Sequence, residues 1–155
     1  MSEFKSYRFN FRTFLSFAIF ALALLTVPLT MSCSAFVTPM SDDDALKTLR
    51  ELTKDGKLPS EGIVADIENR FAKTKAGALA KLLRARIRFE NSDFNGAAQI
   101  LDTNVFREKT KLADYALWLR GRALQSAGNH AEAMTVFAGL VKDFPNSLRA
   151  REAKL

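Results

Sequence analysis

The sequence predicts an all-α protein built from stacked pairs of antiparallel helices behind an N-terminal signal peptide. Leucine and alanine dominate the second half of the 155-residue chain, whereas the whole chain holds only 7 glycines and 4 prolines. Unbranched side chains lose little rotamer freedom in a helix, so this composition favours helix over strand. Apolar residues also recur at helical spacing in segments separated by polar turns, and one such segment repeats after 36 residues. We expect these pairs to form a right-handed superhelix.

Residues 1–33 have the pattern of a targeting signal. Three basic residues, Lys5, Arg8 and Arg12, precede a dense apolar run over residues 14–27. A basic start followed by a short apolar run is typical of a secretory signal. The run is shorter than the roughly 20 residues that span a membrane, and Pro28 follows it. The pattern predicts export, by a cleaved signal or with an uncleaved N-terminal anchor.

The single cysteine of the chain, Cys33, follows this apolar run in the sequence LTMSC. This sequence resembles the lipobox of bacterial lipoproteins, although Thr30 stands where leucine is usual. The resemblance implies that Cys33 carries a lipid, which would tether the protein to a membrane surface without spanning it. The alternative is ordinary cleavage after Ser34 or Ala35.

Residues 34–76 are predicted to form a linker and two helices. Ser41 followed by three aspartates is a helix-start signal, because a capping hydroxyl and early acidic residues complement the first turn. Gly56 occupies the expected C-terminal cap of that helix. The second helix has an apolar stripe: Ile63, Val64, Ile67 and Phe71. Residues 73–77 are predicted to be a hinge.

Residues 77–155 are predicted to hold helical repeats, at about 78–111 and 114–147, with a third beginning at 148. In the second copy Gly121 is followed by Ala133, Phe137 and Pro145 at the spacing of the tetratricopeptide pattern. Small residues suit the close crossing of two helices, and a phenylalanine fills the wedge between pairs. Proline ends the second helix, because it lacks an amide hydrogen.

Two further features accompany the repeat. Gly128 lies in the turn between the helices of the second copy, and it aligns with Ser92 in the weaker first copy. Repeat modules bury their apolar faces against neighbours, and about three are needed for stability. We therefore expect that the natural product is longer than 155 residues, or that the chain associates through its C-terminal end.

Residues 113–155 resemble two bacterial envelope families through the sequences DYALWLRGRAL and DFPNS. One is the helical superhelix of soluble lytic transglycosylases, and the other is the repeat domain of BamD-like outer-membrane lipoproteins. The first resemblance implies a catalytic glutamate followed by serine, but no Glu-Ser pair occurs in the chain. The nearest imitation is Glu90, two residues before Ser92 at a repeat turn, where water would keep the acid ionised.

Catalytic chemistry is otherwise not indicated. One cysteine and one histidine, His130, exclude an internal disulfide and a paired-cysteine metal site. The sequence has no phosphate-binding loop and no serine-hydrolase elbow. The net charge of +6 is not concentrated in a basic run, so we expect no nucleic-acid partner. We expect no enzyme activity, no cofactor and no metal.

The groove lined by the first helix of each pair is the predicted binding surface, with five candidates: Arg86, Tyr115, Trp118, Arg122 and Gln125. Aromatic residues beside arginines suit a peptide or a glycan. The alternative is that Leu82, Phe89 and Trp118 are core between repeats. We expect a periplasmic or lipid-anchored scaffold that binds proteins or peptidoglycan-associated partners. The alternative is the non-catalytic front portion of a lytic transglycosylase.

Overall fold

The computed structural model describes residues 40–153, which belong to one compact unit. Helices make up 73% of these residues, and no strand occurs among them. The predicted all-α class is therefore confirmed for this part of the chain. The predicted signal peptide, the N-terminal anchor and Cys33 lie outside the described residues.

Eight helices follow one another in the described part of the chain. They are α1 (Asp42–Thr53), α2 (Glu61–Arg70), α3 (Lys75–Glu90), α4 (Phe94–Ile100), α5 (Val105–Lys109), α6 (Ala113–Ser126), α7 (His130–Asp143) and α8 (Leu148–Glu152).

The helices stack in two rows. The first helices, α1, α3, α6 and α8, lie side by side, and each packs on the next. The second helices, α2, α4 and α7, each pack on the first helix that follows them. Three-residue turns join α3 to α4 and α6 to α7, whereas α1 packs mainly on α3 rather than on α2. The helix-pair stack expected from the sequence is thus present, with a looser first pair.

Side-chain caps begin several of these helices, and the cap at Ser41 is the one that the sequence predicted. The Oγ of Ser41 accepts from the Asp44 amide at 3.2 Å, and the Asp93 carboxylate accepts from the Gly96 amide at 2.9 Å. Ser41 also donates its hydroxyl to Asp44 Oδ2 at 2.7 Å, and this hydrogen bond lowers the pKa of the Asp44 carboxyl. These caps satisfy amides that have no partner inside the helix.

The starts of neighbouring first helices are tied together. The Ala76 amide, at the start of α3, donates to Asp42 Oδ1 at the start of α1, at 3.2 Å. Ser147, at the start of α8, donates to Asp114 Oδ2 at the start of α6, at 2.6 Å. Neighbouring first helices are therefore parallel at these two joints.

Apolar clusters fill the joints between pairs. The first joins α1, α2 and α3 through a buried set: Ala45, Leu49, Val64, Ile67, Ala76, Ala80 and Ile87. The predicted stripe of α2 is correct at Val64 and Ile67 but wrong at Ile63, which is 48% exposed. Ile63 lies next to Val64 on the helix and so points about 100° away, beyond the face that α3 covers.

The predicted hinge is wrong at Gly77, and a short helix forms at a segment for which no helix was predicted. Gly77 is not part of a hinge but lies buried in the first turn of α3, where it packs against the Phe71 carbonyl. Residues 103–110 are not simply a polar connection, because α5 forms there and buries Phe106 to 2% exposure. Phe106 inserts between α3 and α6, so burial of one aromatic ring orders a segment whose other residues are mostly polar.

Ion pairs hold α2 against α3. Glu68 is 8% exposed and accepts from Arg84 at 2.7 and 3.1 Å. Arg88 donates to Glu61 at 2.7 Å, and this hydrogen bond raises the pKa of Arg88. The paired, hydrogen-bonded geometry is the one in which a partly buried carboxylate is tolerated.

Candidate functional site

The repeat-defining residues meet where α6 crosses α7. Gly121 is buried, and a Cβ added there would lie 2.6 Å from Phe137 Cζ. Ala133 is buried near the same crossing. Gly128 has a φ of 83° in the turn, and Pro145 follows the end of α7 at Asp143. A side chain on Gly121 would overlap the ring, so glycine sets the close approach of the two helices.

A cavity of about 430 Å³ opens on the row of first helices, between α1, α3 and the start of α6. Its volume is in the range of about 300–1,000 Å³ that ligand pockets occupy. Six leucines form most of its wall, and we call it the leucine pocket: Leu46, Leu49, Leu79, Leu82, Leu83 and Leu112. The pocket therefore offers an apolar surface that an apolar side chain could cover.

Basic side chains surround this apolar floor. Arg50, Lys75 and Arg86 line the leucine pocket, and among the described residues no carboxylate does so. Arg86 lies 3.8 Å from Glu90, with both side chains about half exposed. Exposed ion pairs of this kind contribute about 0–1 kcal/mol, so Arg86 remains available to a stronger partner.

An aromatic pair lies beside the pocket on α6. Tyr115 and Trp118 stack with their ring centroids 5.8 Å apart. The guanidinium of Arg149, from α8, lies 4.5 Å from the Trp118 centroid and 5.3 Å from that of Tyr115. Arg122 lies 5.8 Å from the Trp118 centroid. The protein's own arginines therefore already cover the exposed aromatic surface through cation–π contacts.

The structure brings the five sequence-predicted groove residues to the first-helix row. Arg86 and Tyr115 line the leucine pocket, and Arg122 lies over Trp118 one turn further along α6. Gln125 is exposed in the last turn of α6. Trp118 also packs against the apolar cluster that joins α3, α5 and α6. The sequence left open whether Trp118 is a groove residue or core between repeats. Both descriptions apply, because its side chain is partly core and partly surface.

Sequence reasoning missed the contribution of α1 and α8. Arg50, Leu46 and Arg149 all reach the surface just described. The sequence does contain evidence that α1 belongs to this surface, because the 36-residue spacing continues for one more copy toward the N-terminus. Positions 46, 82 and 118 are Leu, Leu and Trp, and positions 50, 86 and 122 are all arginine.

Side chains considered for chemistry lie apart from this surface or in water. His130 is exposed at the start of α7, and the Glu90 side chain is 52% exposed at the end of α3. Within residues 40–153, no group of three or more His, Cys, Asp or Glu side chains could hold a metal ion. No helix of the described segment is both long enough and apolar enough to cross a membrane.

These features define a class: a helical-repeat protein in which helix pairs stack and the first helices share one exposed face. Residues 115–147 match the family model described as a tetratricopeptide repeat. This match covers most of α6, all of α7 and the turn that follows them. A search of curated proteins found no significant match, and neither did a search of solved structures.

Proposed function

We propose that this protein is a non-enzymatic scaffold of the cell envelope that binds partner proteins, or partners associated with peptidoglycan, through its first-helix row. The observation that carries the proposal is the combination of a tetratricopeptide repeat at residues 115–147 with the leucine pocket. Repeats of this kind suggest protein–protein interaction. An apolar pocket with basic side chains at its edge supplies both contact area and orientation for a bound segment.

The envelope part of the proposal rests on residues 1–33. Three basic residues followed by an apolar run support export, and Cys33 is the candidate for lipid attachment. A lipid at that position would hold the repeats close to a membrane surface. Binding on the first-helix row and attachment at the N-terminus together describe a tethered scaffold.

Photocrosslinking in cells that produce the protein tests this proposal. A crosslinking amino acid placed at Gln125, on the first-helix row, is expected to capture an envelope protein or a peptidoglycan-associated partner. The same amino acid at Gln99, an exposed glutamine on α4, is the matched control and is expected to capture little. Equal capture at both positions, or capture of cytoplasmic proteins alone, would contradict the proposal.

A further inference from the structure

The 36-residue spacing gives the first-helix row a repeated arginine. Arg50, Arg86 and Arg122 recur at this spacing, one in each of α1, α3 and α6, and all three side chains are exposed. We call them the arginine row. Within the described residues Arg86 has a weak intrahelical partner in Glu90, and neither Arg50 nor Arg122 forms an ion pair. Guanidinium groups present a planar fork of donors that matches a carboxylate.

The arginine row and the leucine pocket are parts of one surface. Arg50 and Arg86 both line the pocket, and Leu82 lies one helical turn before Arg86 in its wall. A ligand that touches both must combine anionic groups with an apolar group. Peptides with acidic and apolar side chains satisfy this requirement.

Helix spacing sets how far apart those anionic groups must be. Helices that pack side by side lie about 8–10 Å apart, and α1, α3 and α6 are neighbours of this kind. A polyproline-II peptide advances about 3.1 Å per residue and completes a turn in three residues. Every third side chain of such a peptide therefore falls on one face, about 9 Å from the previous one.

We propose that the arginine row binds an extended acidic peptide whose carboxylates recur at every third residue, while a large apolar side chain enters the leucine pocket. This inference rests on the proposed protein-binding function and names the chemistry of the partner. The peptide would cross the row of first helices and contact one arginine per helix. Its carboxylates would supply the negative charge that the pocket wall lacks.

A peptide fits the surface better than a single-stranded nucleic acid. Nucleic-acid strands bind where bases stack on free aromatic faces. Here Arg149 and Arg122 already lie over Trp118, and the pocket itself is walled by leucines. Leucines offer apolar area to an aliphatic or aromatic side chain but no stacking platform.

Fluorescence anisotropy with the full-length protein tests the inference. The probe is a labelled nine-residue peptide made of three Glu-Leu-Pro triplets. We expect it to bind about ten- to a hundred-fold more tightly than the Gln-Leu-Pro peptide, because three exposed ion pairs each contribute about two- to five-fold. A peptide with the same composition but with its three glutamates adjacent should bind more weakly. Replacing leucine by alanine should also weaken binding, and added salt should weaken the acidic peptide most.

Protein variants then assign the contact to the arginine row. Arg50→Gln, Arg86→Gln and Arg122→Gln are each expected to lower the affinity about two- to five-fold. Arg70→Gln, on α2, is the matched control and should leave the affinity unchanged. Circular dichroism of each variant checks that the helices persist, which exposed positions should allow.

Several outcomes would overturn the inference. They are absence of binding by the spaced acidic peptide, equal binding by the glutamine or the adjacent-glutamate peptide, and an Arg70→Gln effect as large as that of the row variants. Tighter binding of oligothymidine or of anionic phospholipid vesicles, lost in the row variants, would assign the row to those partners instead. Selective crosslinking at Gln125 together with failure of the peptides would reject this inference alone. Non-selective crosslinking would reject the proposed function as well.

Discussion

The pairs α3/α4 and α6/α7 share one backbone design but differ in the residues that build it. Both turns have three residues and contain a left-handed position, Ser92 with a φ of 64° and Gly128 with a φ of 83°. Where α6 crosses α7, Gly121 meets the ring of Phe137. The corresponding positions of the first pair are Ala85 and Leu101, which share one buried cluster. In the first pair the residue at the crossing, Ala85, is larger than Gly121, and its partner, Leu101, is smaller than Phe137. The two changes offset each other, so the helices of both pairs can cross in the same way. Only residues 115–147, however, match the family model.

The joints that precede these two pairs differ more than the pairs themselves. Four residues, 71–74, connect α2 to α3, and the start of α3 packs against the backbone of that connection at Gly77. The joint before α6 contains the extra helix α5, and the position 36 residues after Gly77 is Ala113. A longer connection leaves room for a methyl group that the short connection excludes. Three sets of substitutions test these differences.

The largest effect is expected for Gly77→Ala. An added Cβ would overlap the Phe71 carbonyl and approach Ala72 Cα to 3.0 Å, and backbone atoms cannot rotate away as a side chain can. We expect a loss of about 3 kcal/mol in the free energy of unfolding, at the upper end of overpacking costs. Urea denaturation followed by circular dichroism measures this change.

Gly62→Ala is the matched control for that variant. It also lies near the start of a helix, but its added Cβ would meet only Ser60 Oγ, at 3.8 Å. We expect no loss and a gain of up to about 1 kcal/mol from helix propensity. Equal behaviour of the two alanine variants would show that the short joint imposes no steric limit.

A smaller effect is expected when the crossing of the second repeat is converted to that of the first. Gly121→Ala should cost about 1 kcal/mol, because overpacking against Phe137 exceeds the gain in helix propensity. Phe137→Leu alone should also cost about 1 kcal/mol through lost contacts. Combined, they recreate the alanine–leucine pair of the first copy, so the double variant should be less destabilised than the sum by about 1 kcal/mol. Strict additivity in urea denaturation would show that the two crossings are not equivalent.

Effects of about 1 kcal/mol or less are expected at the left-handed turn positions. Ser92→Gly should stabilise the protein by about 0.5 kcal/mol, and Gly128→Ser should destabilise it by about 1 kcal/mol, because a Cβ is disfavoured at positive φ. Ser126→Gly, at the end of α6 where φ is helical, is the control and should be destabilising. Thermal unfolding compared among the three variants gives the order. A destabilising Ser92→Gly would indicate that the Ser92 side chain contributes more than its backbone strain costs.

The sequence predicted those parts of the fold that depend on local chemistry. The cap at Ser41 and the Gly121–Phe137 crossing follow from residue type and spacing. Gly77 was misread because glycine is permissive in turns, whereas here it serves a close tertiary approach that no local pattern reveals. Phe106 was missed because one buried ring in a polar stretch has no periodicity. The predicted groove residues do lie on one face, the first-helix row. The sequence analysis did not recognise α1 as part of this face, because the 36-residue relation between α1 and α3 lies outside the recognisable repeat.

The hydrogen bonds between neighbouring first-helix starts have a mechanical consequence. Asp42 holds the start of α3, and Asp114 holds the start of α8, each at the end of a helix rather than along its length. Apolar contacts resist separation of two helices but oppose sliding only weakly, since leucine and alanine surfaces are non-directional. A hydrogen bond at one end fixes the helices against such sliding. If a membrane tether pulls on one end of the stack and a bound partner on the other, these two joints would carry the shear load.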